Sequence, residues 1–235
     1  MKFELKPRRL ILLSATLILV GELVFVPVTF GQSRVPRRNA SGVNAEEAKQ
    51  HNRQGIALQS QGKLNEAAQE YSAAIKLNPQ GAAYHNNFAV LLKEMNKFDE
   101  AEQESRAALR LKDSPNYHFN LGLILQEQGK YSEAEPHFRE SLKADPMDAE
   151  ANYRLGQSLL MQDKPIDAQD CVKSALLMKP NEPSYHRLLA DCLLKQEKYQ
   201  EALNEYTVVL QLDPKAPDVG EVRNKISYIK QVLKI

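Results

Sequence analysis

The strongest constraint in this 235-residue chain is self-similarity: from residue 48 the sequence returns to itself every 34 residues, with one step of 33. Such a period marks a stack of equivalent supersecondary units. The copies span 48–81, 82–114, 115–148, 149–182 and 183–216. Their eighth column reads Gly55, Ala89, Gly122, Gly156 and Ala190, their eleventh Leu58, Leu92, Leu125, Leu159 and Leu193, and their twentieth is alanine throughout, from Ala67 to Ala202. Small residues at eight and twenty let two helices cross closely, and the leucine fills the space beside the crossing. The thirty-second column, Pro79, Asp113, Pro146, Pro180 and Pro214, stops the second helix.

The unit is therefore a helical hairpin, and the composition agrees. The chain has no Trp and 10 Gly, and Leu, Ala, Glu, Lys and Gln, all good helix formers, dominate. Column fifteen, Gly62, Asn96, Gly129, Asp163 and Glu197, suits the left-handed residue that ends a first helix, and column sixteen is always Lys, complementing the negative end of that helix. Asp99 with Glu102 and Ser132 with Glu135 read as capping boxes opening second helices, Asn44 with Glu47 as the start of the first helix, and Asp218 with Glu221 as the start of a last one.

The columns resemble the tetratricopeptide repeat, most visibly in Asn152-Tyr153-Arg154-Leu155-Gly156 and in Asn120-Leu121-Gly122 followed by Ala134, Phe138 and Pro146. The resemblance covers roughly Ala48 to Pro214 and implies an all-α, right-handed superhelical solenoid of five hairpins. Ser105 and Val172 depart from the aromatic expected at column twenty-four, and Pro136 predicts a helix that starts late or tight. Stacked hairpins leave an apolar face at each end, so residues 217–235, with Val222, Ile226, Ile229 and Leu233 at helical spacing, are expected to form a C-terminal capping helix.

Upstream, Lys2, Lys6, Arg8 and Arg9 precede an apolar stretch from Leu10 to Phe30, the shape of an export signal or a membrane anchor within residues 1–31. Glu22, Pro27 and the small residues Thr29 and Gly31 favour a cleaved signal, whereas the length of the whole stretch approaches that of a membrane span. Residues 32–45, polar with Pro36 and Gly42, read as a flexible linker. The repeats are then expected outside the cytoplasm, periplasmic, secreted or anchored, with membrane contact only through the N-terminal segment.

The formal net charge is +1, but removing the seven basic and two acidic residues before Glu46 leaves 24 of 31 basic and 28 of 30 acidic residues, about −4. A nucleic-acid partner, which requires a cationic stripe, is not expected. His51, His85, His118 and His186 share column four, yet equivalent side chains in successive repeats lie on the order of 10 Å apart, too far to share a metal ion. No Ser-His-Asp arrangement, glycine-rich phosphate loop or Cys-x-x-Cys spacing occurs, so neither catalysis nor a cofactor has candidate residues. Cys171 and Cys192 fall on neighbouring helices and are either a bridge or two buried thiols.

In tetratricopeptide arrays the concave face is lined by first-helix columns two, five, six, nine, twelve and thirteen. The resemblance thus points to Arg53, Asn86, Asn87, Phe119, Asn120, Tyr153, Arg154 and Arg187 as a floor for a protein or extended peptide. Asparagines can both donate to and accept from a peptide backbone, arginines can fork onto carboxylates, and the two aromatics are flat anchors. Val90 and Glu150 interrupt the clamp with which some family members hold a C-terminal carboxylate. The expected function is a non-catalytic scaffold for assembly in the cell envelope. Alternatives are a cytoplasm-facing anchored adaptor or co-chaperone and an accessory subunit of an enzyme.

Overall fold

Each repeat folds as two antiparallel helices, the first always ending at column thirteen and the second always opening at column seventeen. The computed structural model describes residues 40–215 and 217–235, and the expected signal or anchor, with most of the linker, lies outside them. Among the described residues there are 11 helices and no strand. The pairs are α1 (Ala40–Ser60) with α2 (Leu64–Leu77), α3 (Ala82–Glu94) with α4 (Phe98–Leu111), α5 (Pro115–Glu127) with α6 (Tyr131–Leu142), α7 (Ala149–Met161) with α8 (Pro165–Met178), and α9 (Pro183–Lys195) with α10 (Tyr199–Leu212). A capping helix, α11 (Val219–Leu233), closes the solenoid. Each helix of the first four hairpins packs on its partner and on the hairpin that follows, and in the fifth α10 packs on both α9 and α11. No described helix is long and apolar enough to cross a membrane.

The small-residue columns sit where the helices cross. Ala67, Ala101, Ala134, Ala168 and Ala202 are all completely buried, as are Leu125 and Leu159 of column eleven. A Cβ added to Gly122 would stand 2.7 Å from Cε1 of Phe138, and one added to Gly156 2.9 Å from Cγ2 of Val172. In the first, third and fourth repeats a column-eight glycine thus stands against a bulky ring or branched side chain in column twenty-four, in the second Ala89 is matched by the smaller Ser105, and the fifth departs from this pattern with Ala190 and Tyr206 both fully buried. The departure at Ser105 is thus compensated within its own hairpin.

The turn inside each hairpin is decided by the backbone. Gly62, Asn96, Gly129, Asp163 and Glu197 all take positive φ, between 59° and 74°. The next residue, the column-sixteen lysine, donates its N–H to the carbonyl of the column-eleven leucine, as in Lys97 to Leu92 at 2.9 Å and Lys130 to Leu125 at 2.8 Å. This is the Schellman geometry, which satisfies a carbonyl at the end of the first helix. It also corrects the expected capping boxes. The second helices begin directly after the lysines, Asp99 and Ser132 lie inside α4 and α6, and the caps of those helices make no side-chain hydrogen bond. The N-caps are Lys97 and Lys130, so the column-eighteen residues Asp99 and Ser132 stand at the second helical position, from which a reciprocal box with column twenty-one does not form. Glu102 and Glu135 instead take the lysine of the next repeat, Lys130 at 2.8 Å and Lys164 at 2.9 Å, and so join hairpins.

Three further expectations need correction. Asn44 is not a helix start, because α1 begins at Ala40 and absorbs the end of the expected linker; once a helix is nucleated, each added residue gains a hydrogen bond. Pro136 does not delay α6, which opens at Tyr131 in the same column as the other second helices and is shorter at its far end. Asp218 precedes α11 without capping it through its side chain, and pairs with Arg187 instead. The cap itself buries Val222 and Ile229 fully against the last hairpin. Lys225 of α11 reaches Asp191 of α9 at 2.7 Å, and the buried hydroxyl of Tyr206 donates to the same carboxylate.

Candidate functional site

The first helices present columns five and six side by side, and the structure shows that these columns pair across repeats. Asn87 Nδ2 donates to Asn52 Oδ1 at 3.0 Å, and Asn120 Nδ2 donates to Asn86 Oδ1 at 2.9 Å. The asparagine ladder expected to grip a peptide is thus spent in part on joining the first three hairpins, and Asn86 is buried. Phe119 is half-buried and packs edge-on against the buried Phe138, with ring centroids 5.9 Å apart. Its ring belongs to the core more than to an open floor, because the neighbouring second helix offers it an aromatic partner. Arg53 alone of the eight proposed residues is exposed.

The other three converge. Tyr153 stacks on Tyr185 with centroids 4.7 Å apart and receives a hydrogen bond from Gln157 at 2.9 Å. Arg154 lies over the Tyr153 ring at 5.6 Å and donates from Nε to Glu150 at 2.7 Å. Burial pushes the Tyr153 phenol above its ordinary range, so it stays a neutral donor and acceptor at physiological pH. Together with Arg187, these residues line a cleft of about 350 Å³ between α5, α7 and α9. Arg154 and Arg187 are each already held by a carboxylate, Glu150 and Asp218, so neither is free to serve as a bare carboxylate clamp.

The cleft adds residues not singled out from sequence: Gln126, Gln157, Leu160, Met161, Ser184 and Asp191. All stand in columns two, nine, twelve or thirteen, so the repeat phase was the signal that could have found them. Met161 is 62% exposed although apolar, and with Leu160 it forms the greasy wall of the cleft. Gln126 Nε2 lies 3.3 Å from both the Arg154 carbonyl and Ser158 Oγ, tying the cleft wall of α5 to α7.

The column-four histidines have structural partners. Nδ1 of His85 meets Glu104 at 2.6 Å and its Nε2 donates to the Pro79 carbonyl at 3.0 Å; His186 repeats this with Glu205 and Pro180 at 2.7 and 2.8 Å. Asn152 occupies the same column and donates to Pro146 at 2.9 Å. Column four thus ties the first helix to the turn that precedes it. Among the described residues no group of three or more His, Cys, Asp or Glu side chains is arranged to hold a metal ion. Cys171 and Cys192 are free thiols, and burial pushes them up to about 11 and about 12.

A stack of two-helix units with a lined cleft defines a helical-repeat solenoid of the kind built for protein contacts. The chain belongs to the tetratricopeptide-repeat family: models of the TPR repeat and the tetratricopeptide repeat match residues 55–96 and 82–115, and the model of anaphase-promoting complex, cyclosome, subunit 3 matches 127–208. No curated protein matches the sequence significantly. Solved structures share the fold. MamA from Desulfovibrio magneticus RS-1 is 18% identical with a TM-score of 0.69, over 73% of this chain and 98% of its own. PilF of Pseudomonas aeruginosa is 24% identical with a TM-score of 0.63, over 82% and 92%. YrrB, described as a TPR protein with an unusual peptide-binding site, is 19% identical with a TM-score of 0.67, over 75% and 91%.

Proposed function

We propose that this protein is a non-catalytic scaffold that holds a segment of another protein in the cleft between α5, α7 and α9. The carrying observation is Met161, an apolar side chain more than half exposed inside a concave, partly apolar cleft whose polar groups, Tyr153, Gln157 and Arg154, are pre-positioned by one another. A pocket that combines an apolar wall with a few oriented polar groups favours a ligand that buries a side chain and hydrogen-bonds its backbone. The arginines are neutralised in place, so the ligand is recognised by shape and hydrogen bonding more than by net charge. The peptide site described for YrrB supports a peptide ligand by analogy of fold.

The test is capture of partners from cell extract by the full chain, comparing Met161→Glu with Leu177→Glu, which alters a side chain 76% exposed on α8, outside the cleft. Loss of partners with the first and retention with the second is expected. Equal retention by both overturns the cleft assignment.

The setting is proposed to be the cell envelope, from the basic residues Lys2 to Arg9 followed by the apolar run Leu10 to Phe30. A Cys171→Ser/Cys192→Ala/Leu177→Cys chain tests this in intact cells: labelling by a membrane-impermeant thiol reagent is the expected result. Protection until the membrane is broken would favour a cytoplasm-facing adaptor.

A further inference from the structure

The third hairpin breaks the column-four rule. In the first, second and fifth hairpins the histidine Nδ1 faces a glutamate 19 residues on, Glu70, Glu104 or Glu205, at 2.6–2.7 Å. In the third, the residue 19 places on is His137, and the two Nδ1 atoms lie 2.8 Å apart with the rings stacked, centroids 5.1 Å apart and 27° from parallel. Nε2 of His118 faces the Asp113 carboxylate at 2.9 Å. An ionised carboxylate only accepts, so the His118 proton sits on Nε2, its Nδ1 carries the lone pair, and His137 donates from Nδ1. One further proton leaves this bridge intact. A second puts N–H against N–H and two like charges within van der Waals reach.

We propose that the His118–His137 pair is an acid-opened latch in the third hairpin, closed while the two rings carry at most one positive charge between them and released when both are protonated. A protonated histidine facing a carboxylate is attracted to it, so the glutamate-paired hairpins are not opened by the same event. Burial first, then His118, then Arg106 from α4 hold His137 below its ordinary value of 6.5, while Glu133 and Glu140 of its own helix oppose them. Depression of an imidazole favours the neutral form in the folded state. The stabilisation is therefore complete above about 6.5 and is lost as the pH falls below it.

The latch is coupled to the rest of the array by adjacency. Phe119 follows His118 and packs on Phe138, which follows His137, and Asn120 carries the bond to Asn86. Separating the imidazoles pulls α5 from α6 at the centre of the five hairpins, where the cleft wall of Gln126 begins.

Amide hydrogen exchange of the full chain at pH 7.5 and pH 5, corrected for intrinsic rates, tests the proposal. Protection in α5–α6 is expected to fall several-fold further on acidification than in α9–α10, and His137→Glu, which installs the pairing of the other hairpins, is expected to abolish that difference. Equal losses in both hairpins, or an undiminished difference in His137→Glu, overturn it. Histidine Cε1-proton titrations of the unaltered chain and His118→Gln give a second reading independent of His137→Glu folding. The His137 curve is expected to move to higher pH when His118 is replaced, and coincident curves overturn the proposal.

Discussion

Asn120 donates its side-chain amide to the buried carbonyl oxygen of Asn86 at 2.9 Å, 34 residues earlier in the chain, and by this bond the third first helix is stitched to the second. Removing the donor leaves Asn86 Oδ1 buried and without this partner. Asn120→Ala is expected to cost about 1–3 kcal/mol, and Asn87→Ala, whose partner Asn52 is less buried, about 0.5–1.5 kcal/mol. Urea unfolding of the two variants checks the order, and a larger loss for Asn87→Ala would contradict it.

The close approach of Gly122 to Phe138 makes a second prediction. Gly122→Ala drives a methyl against the fully buried Phe138 ring and is expected to destabilise by about 1–3 kcal/mol. Gly220→Ala, in α11 with open space around it, is expected to stabilise by about 0.5–1 kcal/mol. Thermal unfolding midpoints moving in opposite directions are the readout.

Cys171 and Cys192 are expected to be slow nucleophiles. With thiols at about 11 and about 12, the thiolate fraction at pH 8 is on the order of one part in a thousand or less. Disulfide-exchange labelling under native conditions should therefore proceed far more slowly than in denaturant. Equal rates would show that the α8–α9 packing is open in solution.

Glu102 supplies an acid-sensitive joint. Partial burial acts to raise its pKa, but hydrogen bonds from Lys130, Arg106 and Gln128 overcome this and bring it down to about 2 from an ordinary 4.5. A carboxylate depressed on folding stabilises fully above its unfolded value, and that contribution disappears as the pH falls from about 4.5 to about 2. Glu102→Gln is expected to lower stability at pH 7 and to flatten the acid limb across that window. An unchanged limb in an equilibrium acid titration would sink this assignment.

The hairpins were legible because their determinants are local. Alanine at column twenty, leucine at eleven and a left-handed residue at fifteen act within a few turns of one another, and helical periodicity maps spacing directly onto contact. The cleft was only half legible. Tyr153, Arg154 and Arg187 do meet there, but Phe119 turns to Phe138, and Asn86, Asn87 and Asn120 are engaged in bonds between repeats. A column number says which face a residue occupies and leaves open which neighbour its side chain will take. The supposed capping glutamates went astray for the same reason: Glu102 and Glu135 find their lysines 28 and 29 residues away.

Periodicity by itself determined that this chain is a helical-repeat protein, how many hairpins it stacks and where each turn falls, since those follow from backbone chemistry repeated at a constant interval. Only the tertiary structure decided which polar groups are engaged between repeats and which line the cleft. Superposing one repeat on the next brings side chains some 34 residues apart within hydrogen-bond distance, and long flexible side chains choose among such neighbours by distance, burial and charge. The cleft at Met161 and the paired imidazoles of His118 and His137 are products of that choice.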